Sequence, residues 1–417
     1  MQKFDLTVSP SKICGAVKAP SSKSFAHRIL IASFLSGKEV TVKNAGESVD
    51  VEVTITALKA LGASVTENDG DIIIKRTLLP KKVKIDCKES GSSLRFLMPV
   101  VCALGVETEF TGAKRLLERP ILELSKSLEE NGGIVSGHNV KGKLIPGVYV
   151  IDGSVSSQYI SGLLLALSYL DGESEIVIKN KTVSKPYIDI TISVLKDFGV
   201  NILKTESGYK VVGGYQNSAK TYTVEGDWSG SAFILSLGAI NGSVSVYGLN
   251  LNSVQGDRKI LEILEKFGAS VTKKDDVVTV KSGNLKGIEV EMDDVPDLIQ
   301  TVSAVASYAK GVTVISGVDR LKLKESDRIS AIINSLSNMS ISARYEDDKI
   351  IICSGEISGG YIDGGNDHRT VMSGAVIAIN AKDKVKISCG EAINKSYPDF
   401  ISDYKKIGGK IDVDIKG

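Results

Sequence analysis

One short phrase, Leu-x-x-x-Gly-small-x-Val in its most regular form, recurs six times along the 417 residues and excludes most of the ways in which a chain of this length can fold. The copies begin at Leu58, Leu128, Leu195, Leu264, Leu336 and Tyr404. Their fifth positions, Gly62, Gly132, Gly199, Gly268, Ser340 and Gly408, are separated by 70, 67, 69, 72 and 68 residues. Six units of about 70 residues therefore account for nearly the whole chain. Before each phrase, apolar residues such as Val51, Ile55, Leu58 and Leu61 recur at intervals of three and four, which predicts a helix. The Gly then stands where a helix must end in a left-handed residue, a conformation that costs Gly little. Beyond it, Val65 and then Ile72 to Ile74, across the polar turn Asn68-Asp69-Gly70, predict a hairpin. The fifth copy has Met339-Ser340 and is expected to end its helix in another way.

A unit of this size with one apolar helix face buries too little surface alone, so the units must pack together. One core stops growing beyond roughly 250 to 300 residues, which favours two domains of three units each, with a ligand cleft between them. Lys and Arg number 51 against 50 Asp and Glu, so bulk charge gives no reason to expect a nucleic acid or a membrane surface as partner. Five cysteines without a Cys-x-x-Cys pair, and a first segment MQKFDLTVSPSK without an apolar core, point to a reduced cytoplasm. The longest apolar stretch, 162–170, is half of what a bilayer requires. His27, His138 and His368 show no metal-ligand spacing, and no metal is expected.

Local charge is more telling. Lys or Arg stands beside Ser, Gly or Asp at four predicted helix starts: 20–28, 89–95, 322–328 and 366–369. Helix starts are already positive, so cations there are unfavourable unless an anion binds among them. Free N–H groups, hydroxyls and guanidinium or ammonium groups together make a phosphate or carboxylate receptor. Lys23-Ser24 is not a nucleotide phosphate loop, because Ile13 to Ser22 offers only Gly15 where two glycines are needed. Ser156-Ser-Gln158 and Ser184-Lys-Pro-Tyr187 also run into apolar helical segments, and Asp297 by itself reads as a helix cap.

These segments resemble the EPSP synthase family of 3-phosphoshikimate 1-carboxyvinyltransferases along the whole chain. The resemblance is carried, in order, by Lys23-Ser24 to Arg28, Leu116-Leu-Glu-Arg-Pro120, Ser156-Ser-Gln158, Ser184-Lys-Pro-Tyr187, Lys324-Glu-Ser-Asp-Arg328, Asp367-His-Arg369 and Lys395 followed by Pro398-Asp399. It implies a two-domain α/β fold, an inverse α/β barrel with three βαβαββ repeats per domain. The crossings it implies lie near residues 12 and 226, giving one domain of 13–225 and one of 1–12 with 226–417. It also implies transfer of the enolpyruvyl group of phosphoenolpyruvate to the 5-hydroxyl of shikimate 3-phosphate, without cofactor or metal, and inhibition by glyphosate beside Gly91. Carried over by position, shikimate 3-phosphate falls to Lys23, Ser24, Arg28, Ser156, Ser157, Gln158, Ser184, Asp297 and Lys324. Phosphoenolpyruvate falls to Lys23, Gly91, Arg115, Gln158, Arg328, Arg369 and Lys395. The expected catalytic groups are Asp297 as base, Glu325 exchanging a proton with carbon, and Lys23 assisting phosphate departure, with the share of His368 open. Ser21, Glu89 and Arg320 depart from the family's usual residues and are left out of the site. The expected partners are the two small substrates; no nucleic acid or membrane is expected, and the chain, beginning at Met1 and ending after the sixth repeat, is expected to act alone as a monomer. Two alternatives share the repeat: the sister enzyme acting on UDP-N-acetylglucosamine, which carries a loop Cys absent around Gly112 to Arg115, and a non-catalytic ring such as a sliding clamp, which would not need Ser-Ser-Gln, Asp-His-Arg and Lys-Glu-Ser-Asp-Arg in separate repeats to converge on one cleft.

Overall fold

The computed structural model describes residues 2–68, 70–216 and 220–416. The chain forms two compact units, Ser21–Glu225 and Met1–Pro20 with Gly226–Gly417. Each has its own apolar core.

The repeat is plainest in residues 82–142. Strand Lys82–Asp86 leads into helix Gly91–Leu104, strand Glu107–Thr111, helix Leu122–Glu129 and the hairpin Gly133–Ser136 with Asn139–Gly142. The first two strands run parallel, because a helix carries the chain back between them, and the last strand sits between the second and the third. The same order of four strands recurs in six sheets. Two further repeats are continuous, at 148–212 and 289–353. The other three borrow a strand from elsewhere. Thr221–Thr223 lies parallel to Val40–Lys43, Ile13–Lys18 parallel to Gly242–Tyr247, and Phe4–Ser9 is inserted between Val385–Ile387 and Lys410–Ile415.

This pairing moves the first crossing. Ile13–Lys18 completes the sheet of the fourth repeat, so the chain leaves the discontinuous unit at Pro20, eight residues beyond the expected position 12. The return is between Glu225 and Gly226.

Within a repeat the two helices differ. The first is apolar on all sides and buried almost throughout: Gly91–Leu104 except Ser92, Ser157–Leu167 except Gln158, and His368–Ala378 entirely. Such a helix belongs inside a core. The second helix, for example Val49–Ala60 or Leu122–Glu129, turns Lys and Glu to solvent. Sheets outside and helices within are what an inverse barrel means.

All the repeat glycines for which the reading required it are left-handed, with Gly62 at φ +93. A Cβ there would lie 2.2 Å from the carbonyl oxygen of Leu78, just past the end of the same hairpin. Ser340 does not end its helix in another way: it takes φ +66 itself, and its hydroxyl lies 3.1 Å from that of Ser358. The hairpin after Gly62 has the register Asn68↔Asp71; Asp69 of its turn lies outside the described residues.

Candidate active site

The first helices of the repeats in Ser21–Glu225 start at one end of that unit. Lys23 opens helix Lys23–Ser36, Gly91 opens Gly91–Leu104 and Ser157 opens Ser157–Leu167. Their caps are serines: the Ser90 hydroxyl accepts from the Ser93 amide and the Ser156 hydroxyl from the Gln158 amide. Ser184 precedes helix Lys185–Asp197 at φ +53. Gln158 joins two of these ends, donating through Nε2 to the Ser92 hydroxyl at 3.0 Å and accepting from Arg95 Nη1 at 2.8 Å.

Arg28 is 2% exposed. It donates to Thr191 Oγ1, to the Ser24 and Tyr187 carbonyls and to Ser161 Oγ, and lies over the Phe96 ring. Burial lowers its pKa to about 9, so it stays charged near neutrality. Lys23 Nζ lies 2.8 Å from Asp50 Oδ2, in the first turn of Val49–Ala60.

Arg115 is not the cation beside Gly91. It is exposed on the short helix Lys114–Leu117. Arg119 is buried instead, and a Cβ on Gly91 would stand 2.5 Å from its Nη1. Arg119 is held there because the next carbonyl, of Pro120, accepts from both Arg95 Nη2 and the Tyr159 hydroxyl. Pro120 restricts the backbone of Arg119, but nothing in Leu116 to Pro120 shows that this side chain turns inward. Asp50 was also missed; an acid in the first turn of a helix reads as ordinary dipole compensation.

In the other unit the charges converge on Asp297. It sits in the 3-10 turn Pro296–Leu298, just before helix Ile299–Ala306. Its carboxylate takes Lys324 Nζ at 3.3 Å, Arg328 Nη1 at 3.1 Å and Arg369 Nη2 at 3.1 Å. Arg369 Nη1 also donates to the Asp297 carbonyl. Arg328, 1% exposed, reaches Glu325 at 2.8 Å and Asp367 at 2.8 Å. Burial opposes its charge, but Asp367, Glu325 and Asp297 outweigh that and raise its pKa. Burial would likewise raise the Asp367 carboxyl, yet Arg328 and then His368 hold it down at about 2. Asp367 caps helix His368–Ala378 through the Arg369 amide. Lys395 Nζ donates to the Asn366 carbonyl, so it reaches the same loop. Asp257, buried nearby, is pushed up to about 7 by burial and then by the Asp297 carboxylate, with Arg369 acting the other way.

Cations gathered in this way can hold an anion when one arrives, and two carboxylates, Asp297 and Glu325, stand beside them for proton transfer. Among the described residues no group of three or more His, Cys, Asp or Glu could hold a metal, and no helix is long and apolar enough to cross a membrane.

A family model described as EPSP synthase (3-phosphoshikimate 1-carboxyvinyltransferase) matches residues 8–404. A 3-phosphoshikimate 1-carboxyvinyltransferase of Brachyspira hyodysenteriae is 39% identical, with 97% of this chain and 99% of that protein aligned. One of Clostridium novyi is 35% identical over 98% of both chains. The solved EPSP synthase of Acinetobacter baumannii is 24% identical and superposes with a TM-score of 0.83, covering 99% of this chain and 100% of its own, which shows a shared fold.

Proposed function

Because the chain belongs to the EPSP synthase family, we propose that its clustered cations and carboxylates are the machinery of that family's reaction. The protein is a transferase: the enolpyruvyl group of phosphoenolpyruvate passes to the 5-hydroxyl of shikimate 3-phosphate and inorganic phosphate leaves. The observation that carries the residue-level reading is the convergence of Lys324, Arg328 and Arg369 on the single carboxylate of Asp297, with Glu325 on the same arginine.

In this reading Asp297 accepts the proton of the 5-hydroxyl as that oxygen bonds to the enol carbon, while Glu325 delivers a proton to the methylene carbon. In the second step the carbon–phosphate oxygen bond breaks, the methyl group returns a proton to Glu325, and the departing phosphate, stabilised by Lys23, carries off the proton that Asp297 took from the hydroxyl, directly or through solvent. A substrate anion that draws Lys324 and Arg369 to itself leaves Asp297 with fewer donors and so a better proton acceptor. Shikimate 3-phosphate is assigned to Lys23, Ser24, Arg28, Ser156, Ser157, Gln158, Ser184, Asp297 and Lys324. Phosphoenolpyruvate is assigned to Lys23, Gly91, Gln158, Arg328, Arg369 and Lys395, with Arg119 in place of Arg115. Neither substrate assignment calls on a second copy of the chain, and we propose a working monomer. Its five cysteines are free thiols, which suits a reduced cytoplasm. Phosphate release from phosphoenolpyruvate should require shikimate 3-phosphate and fail with UDP-N-acetylglucosamine as acceptor; release with the nucleotide sugar would overturn the substrate assignment.

A further inference from the structure

Lys23 and Asp50 open two adjacent helices, and one turn further into each lies a second pair. His27, four residues after Lys23, is 1% exposed, and its Nδ1 is 2.7 Å from the hydroxyl of Thr54, four residues after Asp50. The helices are thus joined by two rungs, an outer ionic one and an inner neutral one. The inner rung continues. Thr54 Oγ1 is 2.9 Å from Ser93 Oγ, and Ser93 Oγ is 2.8 Å from Ser90 Oγ, the cap immediately before Gly91. The imidazole also meets the ring of Phe96, on the helix that Gly91 opens, edge to face with centroids 6.4 Å apart. Three helix starts, those of Lys23, Asp50 and Gly91, are laced by one buried chain of imidazole and hydroxyl groups.

We propose that His27, acting through Thr54 and Ser93, is a positioning residue that holds the Lys23 ammonium in place relative to Gly91. This rests on the assignment of Lys23 to both substrates. When Lys23 turns from Asp50 to a substrate phosphate, the outer rung is lost, and the inner one remains to hold the two helix starts in register. A displacement of about 1 Å at a catalytic group can lower a rate a hundredfold, so such a second fastening has a purpose. An uncharged rung suits the task. Burial, followed by the charges of Lys23 and Arg28, holds the His27 pKa well below its ordinary value. His27 therefore adds no charge that would compete for the phosphate, and the role is geometric, carried by its bond to Thr54.

The test is a set of variants assayed for kcat/KM with each substrate, made in the full-length wild type and in Lys23→Ala. In the wild type, His27→Ala and Thr54→Val should each lower kcat/KM about tenfold. His27→Asn, which puts an amide atom where Nδ1 stands, should restore most of it. In the Lys23→Ala background neither substitution should lower activity further, because the group being positioned is gone. Equal losses in both backgrounds, or near-normal kcat/KM in both single variants, would overturn the proposal. Thr54→Val decides alone if His27→Ala does not fold. A Lys23→Ala enzyme with normal turnover would overturn the assignment of Lys23 itself, and this inference with it, whereas a crippled Lys23→Ala beside unaffected His27 and Thr54 variants would sink only the inference.

Discussion

Arg119 fills the space in which a side chain at position 91 would stand, and this decides how Gly91→Ala should behave. A methyl group aimed only at glyphosate would weaken the inhibitor more than phosphoenolpyruvate. A methyl group that pushes the Arg119 guanidinium aside weakens both. We expect the KM for phosphoenolpyruvate to rise about tenfold, with a glyphosate inhibition constant that rises at least as much; an unchanged KM would show that Arg119 is not involved. Arg119→Ala should lower kcat/KM by about a hundredfold, near 2.7 kcal/mol, and Arg115→Ala by less than about twofold. Asp257 gives a second expectation. Its carboxyl binds a proton up to about pH 7 in the folded protein but only up to about 4 when unfolded, so stability falls as pH rises through that window. Between pH 5 and pH 8 Asp257→Asn should remove up to about 3 kcal/mol of that fall; chemical denaturation at the two pH values measures it, and an unchanged pH difference would count against a protonated Asp257. The cations of the site were legible because helix starts seldom carry them. Which of two arginines four residues apart points inward was not, since spacing cannot show how a short turn is pinned by Tyr159 and Arg95.

Helix ends were the best-marked elements, because a left-handed residue closed over by a carbonyl admits little besides Gly. Gly62→Ala should cost several kcal/mol, combining the penalty of φ +93 with a Cβ 2.2 Å from the Leu78 oxygen. Ser340 shows the converse. It adopts the same conformation with a side chain present, offset in part by its contact with Ser358. Ser340→Gly should therefore stabilise the protein by about 0.5 kcal/mol, seen as a rise in the urea midpoint at constant slope; a lower midpoint would mean that the hydroxyl pair outweighs the strain. Asp297 is ambiguous for a related reason: an acid at a helix start reads by itself as a cap, and the three cations around it appear only in the structure. Strand partners were not legible at all for Phe4–Ser9, Ile13–Lys18 and Thr221–Thr223. Alternating apolar residues tell which face of a strand is buried, not which of six similar sheets it joins.

At the scale of the molecule, the borrowed strands set what can fold alone. Residues 21–225 contain every strand of their three sheets, including Thr221–Thr223, and should unfold cooperatively as a separate fragment. Residues 226–417 lack Phe4–Ser9 and Ile13–Lys18, a strand in each of two sheets, and should not. Phe4 pairs with Ile415, so joining residues 1–20 behind 417 through a flexible linker should restore a cooperative transition. Circular dichroism melts of the three fragments check this, and a cooperative melt of 226–417 alone would refute it. The same pairing has a consequence for synthesis. Strand Phe4–Ser9 is among the first parts made, yet both of its neighbours, Val385–Ile387 and Lys410–Ile415, are among the last. At ribosomal rates of about 5 to 20 residues per second, roughly 20 to 80 seconds pass before they exist. For that time Leu6 and Val8, fully buried in the finished protein, have no core to enter, while Ser21–Glu225 can already have closed its own. The discontinuous unit waits, with its first strand unpaired in the cell, until the ribosome has passed residue 415.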